Sequence, residues 1–347
     1  MEYIGVDLHK QYFVATVMDE EGRVIHKDRV STDRAAIKEY FQKEPRAKER
    51  KVAIEACYNW SYFFDEIQGM VTEVKLAHPL KTRAIAEARI KTDSIDSEVL
   101  AHLLRSDLIA EAYAPDFETR DAKNLLRYRA SLSQMRTMLK NRIHATLARN
   151  HIEVPEFREL ADKFGKKGRA YLREFQLRGY DTEILHHYLD LIDAIEEKIK
   201  LVDRKVKEAC KRDEICRLIE SIPGIGHLLA VLIRYEIDDI QRFSSAKKLC
   251  SYAGLVPSTY SSGDKTYHGR ITKQGNRWLR WALTEAAQMA VVKDVGFRGY
   301  CRRVEKRGGK KKAKIAVARK LLEIIFCVWK ERRPYYEKPV AVALCRL

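Results

Sequence analysis

Residues 3–18 read Tyr3-Ile4-Gly5-Val6-Asp7-Leu8-His9-Lys10-Gln11-Tyr12-Phe13-Val14-Ala15-Thr16-Val17-Met18, two apolar β-rich runs separated by a short polar step. Glu20–Arg23, with Gly22, is a turn signal, and Val24–Val30 can return as a third strand. Downstream, Arg34–Gln42 is helical, Lys51–Glu55 is a short strand, Trp60–Gln68 a helix and Val71–Ala77 another strand. Pro79 opens a helical segment through Glu87, and Thr92–Leu104 is amphipathic. Three meandering strands followed by strands alternating with helices predict a mixed α/β sheet.

Four acids sit at telling places in this pattern. Asp7 and Glu55 each close an apolar run, and Asp93 and Asp96 lie three apart, on one face of the amphipathic helix. Charged side chains are rarely buried without a partner. For several converging carboxylates the simplest partner is an oxygen-seeking divalent cation, Mg²⁺ or Mn²⁺. Two such ions serve in-line attack on phosphodiesters. Bland readings also exist: Asp93 as a helix N-cap, Asp96 as a first-turn acid, Asp7 paired with Lys10. Element order and lengths match a ribonuclease H-like core, which gathers carboxylates above its sheet, although other three-layer α/β folds fit the pattern too.

Composition narrows the partner. The 347 residues carry a formal charge of +17, which favours a polyanion, and 46% hydrophobic content, enough for packed cores. No run approaches the ~18 apolar residues of a spanning helix, and the N-terminus has no signal-peptide pattern. The seven scattered cysteines form no CxxC pair, which fits a reducing cytoplasm and small buried thiols. His9, His78, His102, His144 and His268 fall in no metal-ligand spacing and read as core or surface residues.

After Pro115 the character changes. Leu125, Tyr128, Leu132, Met135 and Leu139 recur at helical steps. Tyr188, Ile192, Ile195, Ile199, Val202, Val206 and Ala209 form a heptad seam. The seam fits an antiparallel hairpin within the chain or a coiled coil between chains, and the sequence leaves both open. Asn150–Gly179, with Pro155, Gly165, Gly168 and a run of charges, reads as a variable connection. A third, mainly helical region starts near Glu214. Its Ile222-Pro223-Gly224-Ile225-Gly226 turn is either a helix-hairpin-helix-like grip on a phosphate or an ordinary interhelical turn. Gly254–Gln274 reads as an irregular loop between two helices. It holds Ser258, Ser261 and Ser262 among Arg270 and Lys273, with Arg277 and Arg280 just beyond. A Ser-Gly step exposes a hydroxyl, and nearby cations suit a phosphate, yet Ser and Gly are also favoured turn formers. Lys310, Lys311 and Lys312 follow Gly308-Gly309 and read as a phosphate-binding face.

The run of motifs GVDLHK, IEACY, KTDSIDSEVLA, SIPGIG and LCSYAGLVPSTYSSGDKTYHGRITKQGNRWLRWAL resembles the DEDD transposases of the IS-one-ten family of insertion sequences, across nearly the whole chain. The resemblance implies a RuvC-like (ribonuclease H-like) catalytic domain over 1–115, a coiled-coil helical middle over 116–213 and a C-terminal transposase domain over 214–347. It implies that Asp7, Glu55, Asp93 and Asp96 hold the metal and that Ser262, in its Y-x-S-G context, is the nucleophile. It further implies a site-specific recombinase joining donor ends to target DNA through a phosphoserine, guided by a structured RNA from the element. A homo-oligomer, dimer or tetramer, with composite active sites would carry this out. The protein would be cytoplasmic and nucleoid-associated in a prokaryote. A RuvC-like nuclease or junction resolvase using water, or a non-catalytic nucleic-acid-binding protein, are the alternatives.

Overall fold

A computed structural model describes residues 1–42, 49–85, 92–152, 154–262 and 265–335. The chain forms two compact units, Met1–Pro115 and Asp116–Leu347. In the first, β1 (Glu2–Leu8), β2 (Tyr12–Met18) and β3 (Val24–Ser31) form an antiparallel meander. Then come α1 (Arg34–Gln42), β4 (Arg50–Glu55), α2 (Trp60–Ile67), β5 (Glu73–Ala77), α3 (Pro79–Ile85) and α4 (Asp93–Arg105). The expected continuation of α3 to Glu87 lies outside the described residues. β4 pairs parallel to β1 and β5 parallel to β4, giving the order β3-β2-β1-β4-β5.

Alternation along the strands decides what each face does. Ile4, Val6 and Leu8 of β1, Phe13, Ala15 and Val17 of β2, and Val52 and Ile54 of β4 bury against Ile37, Phe41, Phe63 and Ile67 of α1 and α2. Gly5, Asp7, Ala53 and Glu55 therefore belong to the opposite face. There Ala53 and Ala77 pack with Leu100 and Leu104 of α4. The approach of α4 is close: a Cβ on Gly5 would lie 1.9 Å from the Ser97 carbonyl oxygen and 2.5 Å from the Ala101 nitrogen. Beside Gly5, the buried hydroxyls of Thr16 and Ser97 share a hydrogen bond of 2.8 Å.

The second unit opens with α5 (Phe117–Arg149), α6 (Pro155–Arg158), α7 (Lys166–Glu174) and α8 (Asp181–Arg212). Ion pairs Arg129–Asp203, Arg136–Glu196 and Arg149–Asp181 run in opposite numerical order along α5 and α8, so the two helices are antiparallel within one chain. Leu139, Ile143 and Leu147 meet Leu185, Leu189 and Ile192. The segment expected as a variable connection is itself packed: Phe157, Phe164 and Leu172 complete that cluster.

Beyond lie α9 (Glu214–Glu220), α10 (His227–Ile237), α11 (Ala246–Tyr252), β6 (Pro257–Ser262), β7 (Lys265–Ile271), α12 (Arg277–Lys293), α13 (Val295–Gly308) and α14 (Lys310–Glu331). One core joins α9, α10, α12 and α14 to Leu126 of α5 and to Val202 and Val206 of α8. The stretch expected as an irregular loop contains a two-stranded antiparallel hairpin, β6 with β7. Among the described residues no helix is long and apolar enough to cross a membrane.

Candidate functional site

Asp7 lies one residue before the end of β1, on the α4 face, and the turn that follows brings His9 back over it. His9 Nε2 lies 3.1 Å from Asp7 Oδ2 and 3.2 Å from Asp93 Oδ2. The Tyr12 hydroxyl donates to Asp93 Oδ2 at 3.0 Å, and Arg29 stacks on the Tyr12 ring at 3.7 Å. Ligand atoms of Asp7, His9 and Asp93 all lie within 4.8 Å of one another. Asp7's partner is thus His9 rather than Lys10, and His9 belongs to the acid cluster instead of being a detached core or surface residue.

Asp93 is freed from capping because Thr92 is the N-cap, its side chain accepting from the Ile95 N–H. Asp93 and Asp96 both fall in the first turn of α4, where the helix dipole favours negative charge. Burial pushes the Asp7 carboxyl above the usual carboxylate range. His9 pulls it back, while the charges of Asp93 and then Asp96 raise it further. Asp96 therefore lies within electrostatic reach of Asp7.

Glu55 closes β4 one step beyond the Val6–Ile54 pair, beside Asp7 on the same face. Burial raises the Cys57 thiol, and the charges of Glu55 and Asp7 add to that rise. The loop is fixed by Cys57, which donates to Asn59 Oδ1, and by Asn59, which donates to the His9 carbonyl. The strand ends, the loop after β4 and the start of α4 converge on one place. A carboxylate-rich donor set with one imidazole fits a divalent cation, and the burial that raises the Asp7 carboxyl, with the charges of Asp93 and Asp96 adding to it, is what a bound cation would offset.

Ser262 lies in the second unit, as the last residue of β6, in register with Lys265 of β7. Arg270 is exposed on β7, Lys273 is exposed just after it and Arg277 is exposed at the start of α12. Lys310, Lys311 and Lys312 are exposed on the first turn of α14, where the helix dipole disfavours cations. Gly226 is exposed at the N-cap of α10.

Gly224 departs from the phosphate-grip expectation. It is buried at φ 92°, and a Cβ there would lie 2.4 Å from the Ala290 nitrogen and 2.6 Å from the Ala286 oxygen. Packing against the α12 backbone accounts for this glycine. Gly224→Ala is expected to lower stability by at least about 2 kcal/mol, adding left-handed strain to overpacking. Chemical denaturation checks it, and an unchanged midpoint would remove that packing role.

Comparison with known proteins covers both units. A DEDD transposase family model matches residues 4–152, and one described as the transposase IS116/IS110/IS902 family matches residues 216–302. The chain is 27% identical to the transposase for insertion sequence element IS1111A of Coxiella burnetii, over 96% of this chain and 91% of that one. It is 26% identical to the transposase for insertion sequence element IS1328 of Yersinia enterocolitica, over 82% and 83%. A pilin gene-inverting protein of Moraxella bovis is 32% identical over 46% of this chain and 49% of that one. With an acid cluster at the sheet end in the first unit and a family match in each unit, the chain belongs to the IS116/IS110/IS902 family of transposases and is a DNA-transposition enzyme.

Proposed function

We propose that this protein is a site-specific recombinase of an insertion sequence that cuts and rejoins DNA through a covalent bond to Ser262. The observation carrying the reading is the convergence of Asp7 and Asp93 on His9 at the sheet end, with Asp96 and Glu55 beside them. Three antiparallel strands continued by two parallel ones support a ribonuclease H-like, RuvC-like assignment for 1–115. Residues 116–213 then serve as a helical linker and 214–347 as the transposase domain carrying the serine. A relative named for gene inversion supports recombination as the outcome.

Asp7, Glu55, Asp93 and Asp96 would hold the cation, with His9 and Tyr12 orienting Asp7 and Asp93. Bound there, Mg²⁺ or Mn²⁺ would polarise the scissile phosphate and stabilise its developing charge. The Ser262 hydroxyl oxygen attacks phosphorus, and a serine–phosphate ester forms as the bond to a deoxyribose oxygen breaks. The serine gives up its proton, and the departing oxygen takes one up. One ester replaces another, so religation by a new deoxyribose hydroxyl needs no nucleotide cofactor. Arg270, Lys273 and Arg277 would bind the phosphates. The working particle is a homo-oligomer in which the acids of one subunit act beside the serine of another, guided by a structured RNA of the element.

Incubating the purified oligomer with labelled element-end DNA, then denaturing, tests the reading. A protein–DNA adduct is expected from wild type and none from Ser262→Ala. Wild-type cleavage without an adduct, with Ser262→Ala still cutting, would establish the water-using nuclease instead. Sequencing RNA that co-purifies tests the guide, and its absence from active particles would sink that part.

A further inference from the structure

A groove of about 1230 Å³ runs between α5 and the start of α12, inside the second unit. Its walls carry Asn141, Met138 and Arg142 from one helix and Arg277, Trp278 and Trp281 from the other. No carboxylate among the described residues lines it. The volume exceeds that of ordinary small-ligand pockets and suits a length of polymer.

Two features give the groove its chemistry. Trp281 is 41% exposed, unusual for so large an apolar ring, and its ring stands at right angles to that of Trp278, with centroids 6.2 Å apart. The Arg277 guanidinium sits over the Trp278 ring at 5.6 Å. Arg127 and Arg129 also border the groove, but Glu236 and Asp203 neutralise them. Arg142 and Arg277 have no ion-pair partner among the described residues. The walls are pre-set: Glu236, only 2% exposed, accepts from Arg127 of α5 and from Asn276, the N-cap of α12. A part-exposed indole beside arginines with no ion-pair partner among the described residues is the combination that takes a base and its phosphates. Inside a duplex both faces of a base are already stacked, so an interior base can stack on Trp281 only when it is unpaired.

We propose that this groove binds an unpaired DNA strand, one base stacking on Trp281 while Arg142 and Arg277 hold the adjoining phosphates. The inference rests on the recombinase reading, because strand exchange is what would present unpaired DNA to the protein.

Fluorescence anisotropy on the full chain, with labelled oligo-dT, the matching oligo-U and a blunt duplex, tests it. Trp281→Ala is expected to weaken oligo-dT binding at least about fivefold and to leave duplex binding unchanged. Trp281→Phe should restore most of the loss. Arg142→Gln should reduce the salt slope for oligo-dT by about 0.7. Equal losses on duplex and single strand, or wild-type oligo-dT binding by Trp281→Ala, would overturn the groove assignment. Trp281-dependent binding tighter for oligo-U than for oligo-dT would overturn the DNA assignment. A Trp281→Ala chain of smaller oligomeric mass would make the groove a contact between copies. Adduct formation is scored separately. Trp281-dependent binding without an adduct removes the phosphoserine reading alone, and a normal adduct with Trp281-independent binding removes the groove alone.

Discussion

Asp7→Asn is expected to lower strand cleavage by at least about a thousandfold while leaving the thermal midpoint unchanged or higher. The two effects have one cause. In the folded protein the Asp7 carboxyl is raised by burial and by the charges of Asp93 and Asp96, so its ionised form is unfavourable there. Asparagine keeps the shape, can still hydrogen-bond His9, and removes the repulsion. What it lacks is the negative charge that binds a cation tightly, and loss of the several kcal/mol of charge stabilisation a well-held ion supplies sets the expected rate loss. A divalent cation that binds only the folded chain should raise the wild-type midpoint, and raise that of Asp7→Asn less. Asp93→Ala should lose cleavage likewise. The checks are melting curves in chelator and in Mg²⁺ or Mn²⁺, beside a cleavage assay. Wild-type cleavage by these variants would end the metal-site reading, and a steep fall in midpoint for Asp7→Asn would make the residue structural.

The first unit was legible because alternation and strand length speak directly in its sequence. Ile4, Val6 and Leu8 announce one face of β1, which leaves Gly5 and Asp7 to the other. His9 reads from the sequence as a core or surface residue, because it lies past the end of β1, in a turn whose path alternation does not give. A search for paired histidines passes over such a residue. The β6–β7 hairpin was not readable, since Ser and Thr on β6 and Lys, Thr, His, Gly and Arg on β7 give no apolar period. α6 and α7 are short and charged, with Phe157 and Leu172 on their buried sides and Phe164 on the segment between them. The heptad seam of α8 says that a partner helix is needed but not whose, and α5 of the same chain lies along it. Gly224 shows a different limit. A position that tolerates no Cβ reads the same in sequence whether a phosphate or a neighbouring helix occupies the space.

Gly5→Ala is expected to cost both stability and activity, although it adds one methyl group. Alanine is intrinsically better than glycine in a strand interior by backbone entropy, so local preference alone would make the change neutral or favourable. The obstacle is α4. The new Cβ would meet the Ser97 carbonyl oxygen at 1.9 Å and the Ala101 nitrogen at 2.5 Å. Both are backbone atoms, which cannot rotate aside as a side chain would. Restoring ordinary contact of ~3.5 Å requires α4 to move by on the order of 1–2 Å. That displacement pulls the Thr16–Ser97 hydroxyl pair apart in a buried place and spoils the fit of Leu100 and Leu104 on the sheet. Overpacking of this kind costs about 1–3 kcal/mol. In a unit of this size the midpoint should fall by roughly 5–20 °C. Activity suffers through the same movement, because α4 carries Asp93 and Asp96. A misplacement of about 1 Å can cost ~10²-fold in rate. Thermal melting and strand cleavage on the same preparation check the expectation, and a wild-type result in both would mean that α4 does not set the acids' separation. The contrast with Asp7→Asn is the sharper test. One variant should lose chemistry at full stability, the other should lose both, and only if the acids depend on the approach of α4 to Gly5 will the two patterns differ in that way.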